Sequence, residues 1–425
     1  MALLQTPDVG DVGEDAALAS LLHELNTMLA PSDERFLRRF TGQDGSRQPL
    51  HSVYIPADEY SPDLPVRWGA MAIDTLDRVV ATPSRLASIV GTGEDHAERL
   101  FQAVRRKLSY EPVEDLRLDF EDGLRTHTSE DAVVAQALDR LDEARANDTL
   151  PASVGIRFKS LEPATRERGL RTLMRFIEGV APAPELIARL RLTLPKVTSP
   201  EQVSAMAQVC DRLERLHGLP ELTFKFEIQI ETPQSIILSD GGAAPARLID
   251  LAQGRCNGLH FGAYDYTAAC GIVAKYQGVA HPSSEYAKLL MQVAAAGTPV
   301  RVSDGATIHM PVGSDLEVED ALRHHAGIVG RALERGIYQG WDMHPAQLIT
   351  RFASAFAFYL DGFDEAAQRL HRYLSDRDSS ADEPASIRAL AAHVSRAIQC
   401  GAVTGDEAYA ATGISPADLH ILAAA

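Results

Sequence analysis

Five polar residues, Asp122, Arg157, Lys196, Glu231 and Asp265, each close a short apolar run, and successive ones stand 35, 39, 35 and 34 residues apart. The runs are LRLDFED (116–122), VGIRFKS (154–160), LRLTLPKV (190–197), FKFEIQIETP (224–233) and LHFGAYDY (259–266). The blocks between them, 132–144 and 200–216 for example, carry apolar residues at helical spacing. Ser129 or Asp131 opens the first of these and Ser199-Pro200-Glu201 the second, which is the chemistry a helix start wants. A strand, a crossover helix and the next parallel strand need roughly 30 residues or more. The period therefore reads as repeated βα units.

HSVYIP at 51–56, ATIHMP at 306–311 and GIYQGWDM at 336–343 add three strand candidates and bring the total to eight. Eight βα units imply a (β/α)8 TIM barrel, whose active sites lie at the carboxyl ends of the strands. Residues 57–110, with the Pro-rich YSPDLPVRW and a helix around 98–108, are too long for one crossover and are expected to form an inserted arm. Before the barrel, residues 1–12 are expected to be disordered, and Ala17, Leu18, Leu21, Leu22, Leu25 and Leu29 then mark an amphipathic lead-in helix. After it come an Ala/Phe-rich helix to Leu360, a polar linker SDRDSSADEP (375–384), and a helix marked by Ile387, Leu390, Ala391, Val394 and Ile398. The expected division is a helical extension over 1–50, a catalytic barrel over 51–362 and a helical appendage over 363–425. Such an appendage needs another surface, its own barrel's or a neighbour's.

The charge balance excludes one class of partner. With a formal net charge of -18 and no basic stripe, nothing in the chain is suited to neutralising nucleic-acid phosphates. Cys210, Cys256, Cys270 and Cys400 show neither metal-ligand nor disulfide-framework spacing. A reducing, cytoplasmic setting is expected. The first residues lack a cationic start followed by an apolar core, so no signal peptide is expected, and no run approaches the ~18 apolar residues of a membrane span. GTGEDH at 91–96 lacks the Lys-Ser/Thr of a phosphate-binding loop and reads as an ordinary loop.

Chemistry is expected where the strand-end residues converge. Neighbouring parallel strands run about 4.8 Å apart, so Glu231 and Asp265 could both reach one hard cation, Mg2+ or Mn2+, with Gly262 exposing backbone beside it. The alternative is that the two acids only cap helices. A 2-oxo acid can chelate such a cation through its carboxylate and keto oxygens, and the cation then stabilises an enolate as a Lewis acid. Arg157 could donate to the developing oxyanion or merely neutralise a neighbouring acid. Lys196 could serve the site or pair structurally with Glu121 or Asp122. Asp119 and Glu121 share one face of their strand and Phe120 and Asp122 the other. Asp122, the last of the acids, is the one taken to point into the mouth. His281, His309 and His344 lie at element ends or inside an apolar run, where core and turn histidines are commoner than catalytic ones.

DFEDG (119–123), IRFKS (156–160), LPKV (194–197), IETP (230–233), FGAYD (261–265) and MHPAQ (343–347) resemble, in order, the strand-end motifs of the HpcH/HpaI aldolase and citrate lyase beta-subunit superfamily. The DFED and IET elements are also similar to those of malate synthases. The resemblance covers residues 115–350 and implies a Mg2+-dependent TIM barrel that makes or breaks a carbon–carbon bond through an enolate. It implies Glu231 and Asp265 as metal ligands and Arg157 at the substrate carbonyl oxygen. It places Gly262 and Pro233 beside the substrate, with Asp122 and Lys196 in support. The base stays open, the nearest histidine after DFEDG being His127. The expected substrate is a 2-oxo acid, a hydroxy acid or an acyl-CoA thioester, and the expected assembly a homo-oligomer. Two rivals remain: a phosphoenolpyruvate-type phosphoryl-transfer barrel, which would use a histidine such as His309 or His281, and a non-catalytic subunit that binds metal and keto acid.

Overall fold

The protein is described from a computed structural model covering residues 11–42, 45–124, 129–375 and 384–424. His127 and most of the 375–384 stretch lie outside the described residues, as do residues 1–10. The chain divides into two compact units: residues up to Asp44 with Gly297–Pro299, and Gly45–Ala296 with Val300–Ala425.

The first unit is built on α1 (Asp11–Arg39), which extends ten residues past the expected lead-in helix and contains Pro31. Its short companion segment is joined to it through Gly42, whose N–H donates to the Gly297 carbonyl at 3.0 Å.

The second unit holds the barrel. Its strands are β1 (His51–Pro56), β2 (Asp115–Asp119), β3 (Ser153–Arg157), β4 (Leu190–Leu194), β5 (Phe226–Ile230), β6 (Cys256–Phe261), β7 (Arg301–Ser303) and β8 (Gly340–Asp342). All pair in parallel in the order β7-β6-β5-β4-β3-β2-β1-β8, and a bridge from Ser303 to Gln339 brings β7 round toward β8. The (β/α)8 barrel expected from the period is thus present. Its strands are buried on both faces, as a parallel sheet covered by helices requires, and several alternate apolar residues with buried polar ones such as Arg117, Glu227 and Gln229.

Helices follow each strand. The arm between β1 and β2 forms α2 (Leu64–Thr75), α3 (Pro83–Val90) and α4 (Ala97–Tyr110). Around the barrel run α5 (Glu130–Ala146), α6 (Arg166–Val180), α7 (Pro184–Arg189), α8 (Pro200–His217), α9 (Ala244–Leu251), α10 (Ala263–Ala269), α11 (Pro282–Ala295), α12 (Asp315–Glu334) and α13 (Gln347–Asp361). The tail continues as α14 (Phe363–Ser375), α15 (Pro384–Cys400), α16 (Gly405–Thr412) and α17 (Pro416–Ala424). It rests on its own barrel. A ring nitrogen of His393 lies 3.1 Å from the Tyr359 carbonyl oxygen on α13, and Arg99 of α4 reaches Glu407 at 3.1 Å.

One strand differs from expectation. ATIHMP is not a strand: β7 is the preceding Arg301–Ser303, and 306–310 leaves the sheet. The reason lies in Asp304, which carries a buried carboxylate bonded to Lys288 at 3.0 Å and to the Gly305 N–H at 2.8 Å, turning the chain out of the sheet. Ile308 then donates its N–H to the Tyr264 hydroxyl at 2.9 Å, which brings this segment over the barrel mouth.

Candidate active site

The β2 end is organised by Asp119, the last residue of its strand. It lies level with Arg157, the last of β3, in the parallel register. Its carboxylate receives the Arg157 guanidinium edge-on, Nε at 2.8 Å and Nη2 at 2.6 Å, together with the Glu121 and Gly123 N–H groups at 3.0 and 2.8 Å. A Cβ on Gly123 would stand 2.6 Å from Asp119 Oδ2, so only glycine lets the chain wrap the carboxylate this closely. Two rings also pack beside Arg157: its guanidinium carbon is 5.1 Å from the Tyr54 centroid and 5.4 Å from that of Trp341, and these rings are themselves in contact with centroids 4.2 Å apart. Its Nη1 makes a longer contact, 3.2 Å, to Gln229. A guanidinium has five N–H donors; Arg157 therefore remains able to receive another oxygen.

Lys196 lies two residues past β4, on backbone with φ of 50°, the left-handed region a β-carbon disfavours. That conformation aims its N–H at Glu231 Oε1, 2.6 Å away. Its ammonium meanwhile gathers three carboxylates: Asp265 at 2.6 Å, Asp122 at 3.2 Å and Glu231 at 3.7 Å. Burial would lower the Lys196 pKa, but Glu231 and Asp265 outweigh it and raise it. Glu231, which ends the β5 run, is fully buried and bonded also to Gln229 at 2.8 Å. Burial pushes its carboxyl up to about 7, against the pull of Lys196 and Arg157. Asp265 is not at a strand end: it occupies the first turn of α10, beyond Gly262. A Cβ on Gly262 would lie 2.5 Å from the Glu231 Cβ, so the close passage of this turn over Glu231 also demands glycine.

Glu121 and Asp122 form a second acidic pair. Burial and the neighbouring Asp122 raise the Glu121 carboxyl, whose Oε2 is buried without a hydrogen-bond partner. In Asp122, burial is outweighed by the bond with Glu121 and by Lys196, and the carboxyl is lowered. The pair thus holds a proton on Glu121 more readily than an isolated glutamate would.

These groups border a cavity of about 520 Å3, lined by Asp119, Asp122, Arg157, Gln229, Gly262 and Asp265 and walled by Tyr54, Trp68, Tyr264 and Trp341. The arm contributes Arg67 and Trp68 from α2. Asp122, Arg157, Gly262 and Asp265 therefore share one cavity, with Lys196 and Glu231 bonded to its edge. Pro233 does not line it; it opens a short 3-10 turn capped by the Thr232 hydroxyl. His281 accepts the Ser283 N–H as the cap of α11, His309 is exposed beside His324, and His344 lines a separate cleft with Met71. Gln229, Tyr54 and Trp341 are not among the sequence candidates, whereas Asp119, weighed there against Asp122, stands 38 residues before Arg157, level with it on adjacent strands.

The donor set can be weighed against the expected cation. Among the described residues, no group of three His, Cys, Asp or Glu side chains is arranged to hold a metal by itself. Glu231 and Asp265 do converge on one positive charge, the Lys196 ammonium, and both offer oxygen only. That fits a hard divalent ion completed by water and substrate, on condition that the ammonium moves aside.

A citrate lyase from Burkholderia xenovorans LB400 has a similar structure, with a TM-score of 0.55 and 18% identity over 87% of this chain and 98% of that one. Weaker likenesses are a malate synthase from Haloferax volcanii (TM-score 0.49, 14% identity, 88% of this chain and 99% of that one) and a HpcH/HpaI aldolase/citrate lyase family protein from Burkholderia cenocepacia J2315 (0.39, 14%, 75% and 95%). At 18% identity the likeness to the citrate lyase is one of fold. None of the curated proteins matches the sequence. Residues 29–425 match the family described as domain of unknown function DUF6986, and the chain belongs to that family.

Proposed function

We propose that this protein is a carbon–carbon lyase or condensing enzyme acting on a 2-oxo acid, its hydroxy-acid adduct or a hydroxyacyl thioester, with Mg2+ or Mn2+ held by Glu231 and Asp265. The observation that carries the reading is the convergence of Asp122, Glu231 and Asp265 on one positive charge at the mouth that Arg157 also lines. A bound divalent ion would supply Lewis acidity toward the carboxylate and keto oxygens of the substrate.

The protein's own groups take the remaining parts. Arg157, fixed by Asp119 and packed beside two rings, offers the N–H left on Nη1 to a substrate oxygen on which negative charge develops. A donor preorganised in this way stabilises that charge at little reorganisation cost. The Glu121–Asp122 pair is the group assigned to proton transfer, because Asp122 lines the cavity and Glu121 keeps a buried oxygen without a hydrogen-bond partner, 3.9 Å from Arg157 Nη1. Tyr54, Trp68 and Trp341 exclude water around the reacting carbons. The likeness to a citrate lyase supports the same reaction class by analogy of fold.

The test is turnover of a panel of hydroxy acids and hydroxyacyl thioesters by wild type and Glu231→Ala. A loss of 100-fold or more is expected, on the order of what removing one key electrostatic group costs, with the circular dichroism spectrum intact. Unchanged turnover in a folded variant would sink the reading.

A further inference from the structure

Helix α1 presents a row of large apolar side chains to solvent. Leu18, Leu21, Leu22, Leu25, Met28, Leu29, Phe36 and Leu37 are all at least 38% exposed. Soluble proteins scatter such residues singly; a contiguous row marks a contact surface. Leu18, Leu22, Leu25, Leu29, Ser32 and Phe36 follow one another at intervals of four, three, four, three and four. That alternation is the heptad seam of a helix that packs against another helix, and Leu21 and Met28 widen it on one side.

We propose that α1 pairs antiparallel with α1 of a second copy of this chain. The charge pattern selects the occupant and its direction. By sequence the helix begins with Asp11, Glu14 and Asp15, while Arg35, Arg38 and Arg39 lie toward its end, only partly offset by Asp33 and Glu34. A parallel pair would set acidic start against acidic start and basic end against basic end. An antiparallel pair sets each acidic start beside a basic end, and it also opposes the two helix dipoles favourably. In that arrangement Leu18 of one copy lies level with Phe36 of the other, Leu22 with Ser32, and Leu25 with Leu29. Every layer but the two symmetric ones that set Ser32 against Leu22 is apolar on both sides, and the seam is complementary to itself, as a two-fold interface requires.

The experiment uses the full chain. Sedimentation velocity at micromolar concentration is expected to give a dimer or a multiple of it for wild type. L22D/L29D is expected to halve the mass, with the thermal transition of the barrel unchanged. Direction is read by oxidative cross-linking in a Cys270→Ser background, Cys270 being the one exposed cysteine among the described residues. Leu18→Cys mixed with Phe36→Cys should form the mixed disulfide, and Leu18→Cys alone should not link to itself. A monomeric wild type, an unchanged mass for L22D/L29D, or self-linking of Leu18→Cys would each overturn the proposal. If the helix covers its own barrel instead, the first of these results appears.

Discussion

Arg157 is held on its Nε–Nη2 edge by Asp119 and packs beside the paired rings of Tyr54 and Trp341, which leaves Nη1 as its more adjustable side. Both partners of the ion pair are buried, so removing one strands the other's charge away from water. Asp119→Ala is expected to cost about 3–5 kcal/mol in urea unfolding, whereas Asp122→Ala, whose side chain is half exposed, should cost under ~1 kcal/mol. Equal losses in the two variants would contradict the division of labour between these acids. Sequence pattern favours Asp122 over Asp119 because it gives the alternation of a strand but not where the strand stops. β2 stops at Asp119, so Asp119 faces Arg157 while Asp122 hangs on the loop that reaches Lys196. The three carboxylates around the Lys196 ammonium depend on the left-handed backbone at that residue, a conformation no spacing rule signals.

At the scale of elements, the foot of the barrel is fastened by Glu114, which precedes β2. Its buried carboxylate pairs with Lys107 of α4 at 2.6 Å and with Arg47, and it accepts the Leu50 N–H at 2.5 Å ahead of β1. Burial alone would raise this carboxyl, but Lys107 and then Arg47 hold it down at about 2. A folded-state pKa below the unfolded one contributes stability that is complete above the ordinary carboxylate range near 4.5 and is lost as pH falls toward 2. The melting temperature should therefore fall between pH 4.5 and 3 more steeply in wild type than in Glu114→Gln. Parallel curves for the two proteins would contradict this. The βα period made the elements legible because each strand is buried on both faces and each helix on one. It misplaced β7, since the Asp304–Lys288 pair that turns the chain outward joins residues 16 apart on different elements.

For the whole molecule, the barrel and its arm make one cavity in which an arginine, a lysine-bound carboxylate cluster and four aromatic side chains meet. The arm closes one side of this cavity through Arg67 and Trp68, and the tail packs on α13, where His393 meets the Tyr359 carbonyl. The reading stands on Glu231 and Asp265 acting together as a cation site that a 2-oxo acid completes. Calorimetric titration of the metal-free full chain with Mg2+, with and without glyoxylate, pyruvate or oxaloacetate, probes that step without requiring turnover. Metal and one keto acid should each tighten the other's binding in wild type, and the coupling should vanish in both Glu231→Gln and Asp265→Asn. Binding that is the same in all three proteins, or no binding in any, would mean that these acids serve only to hold Lys196 and that the site does other chemistry.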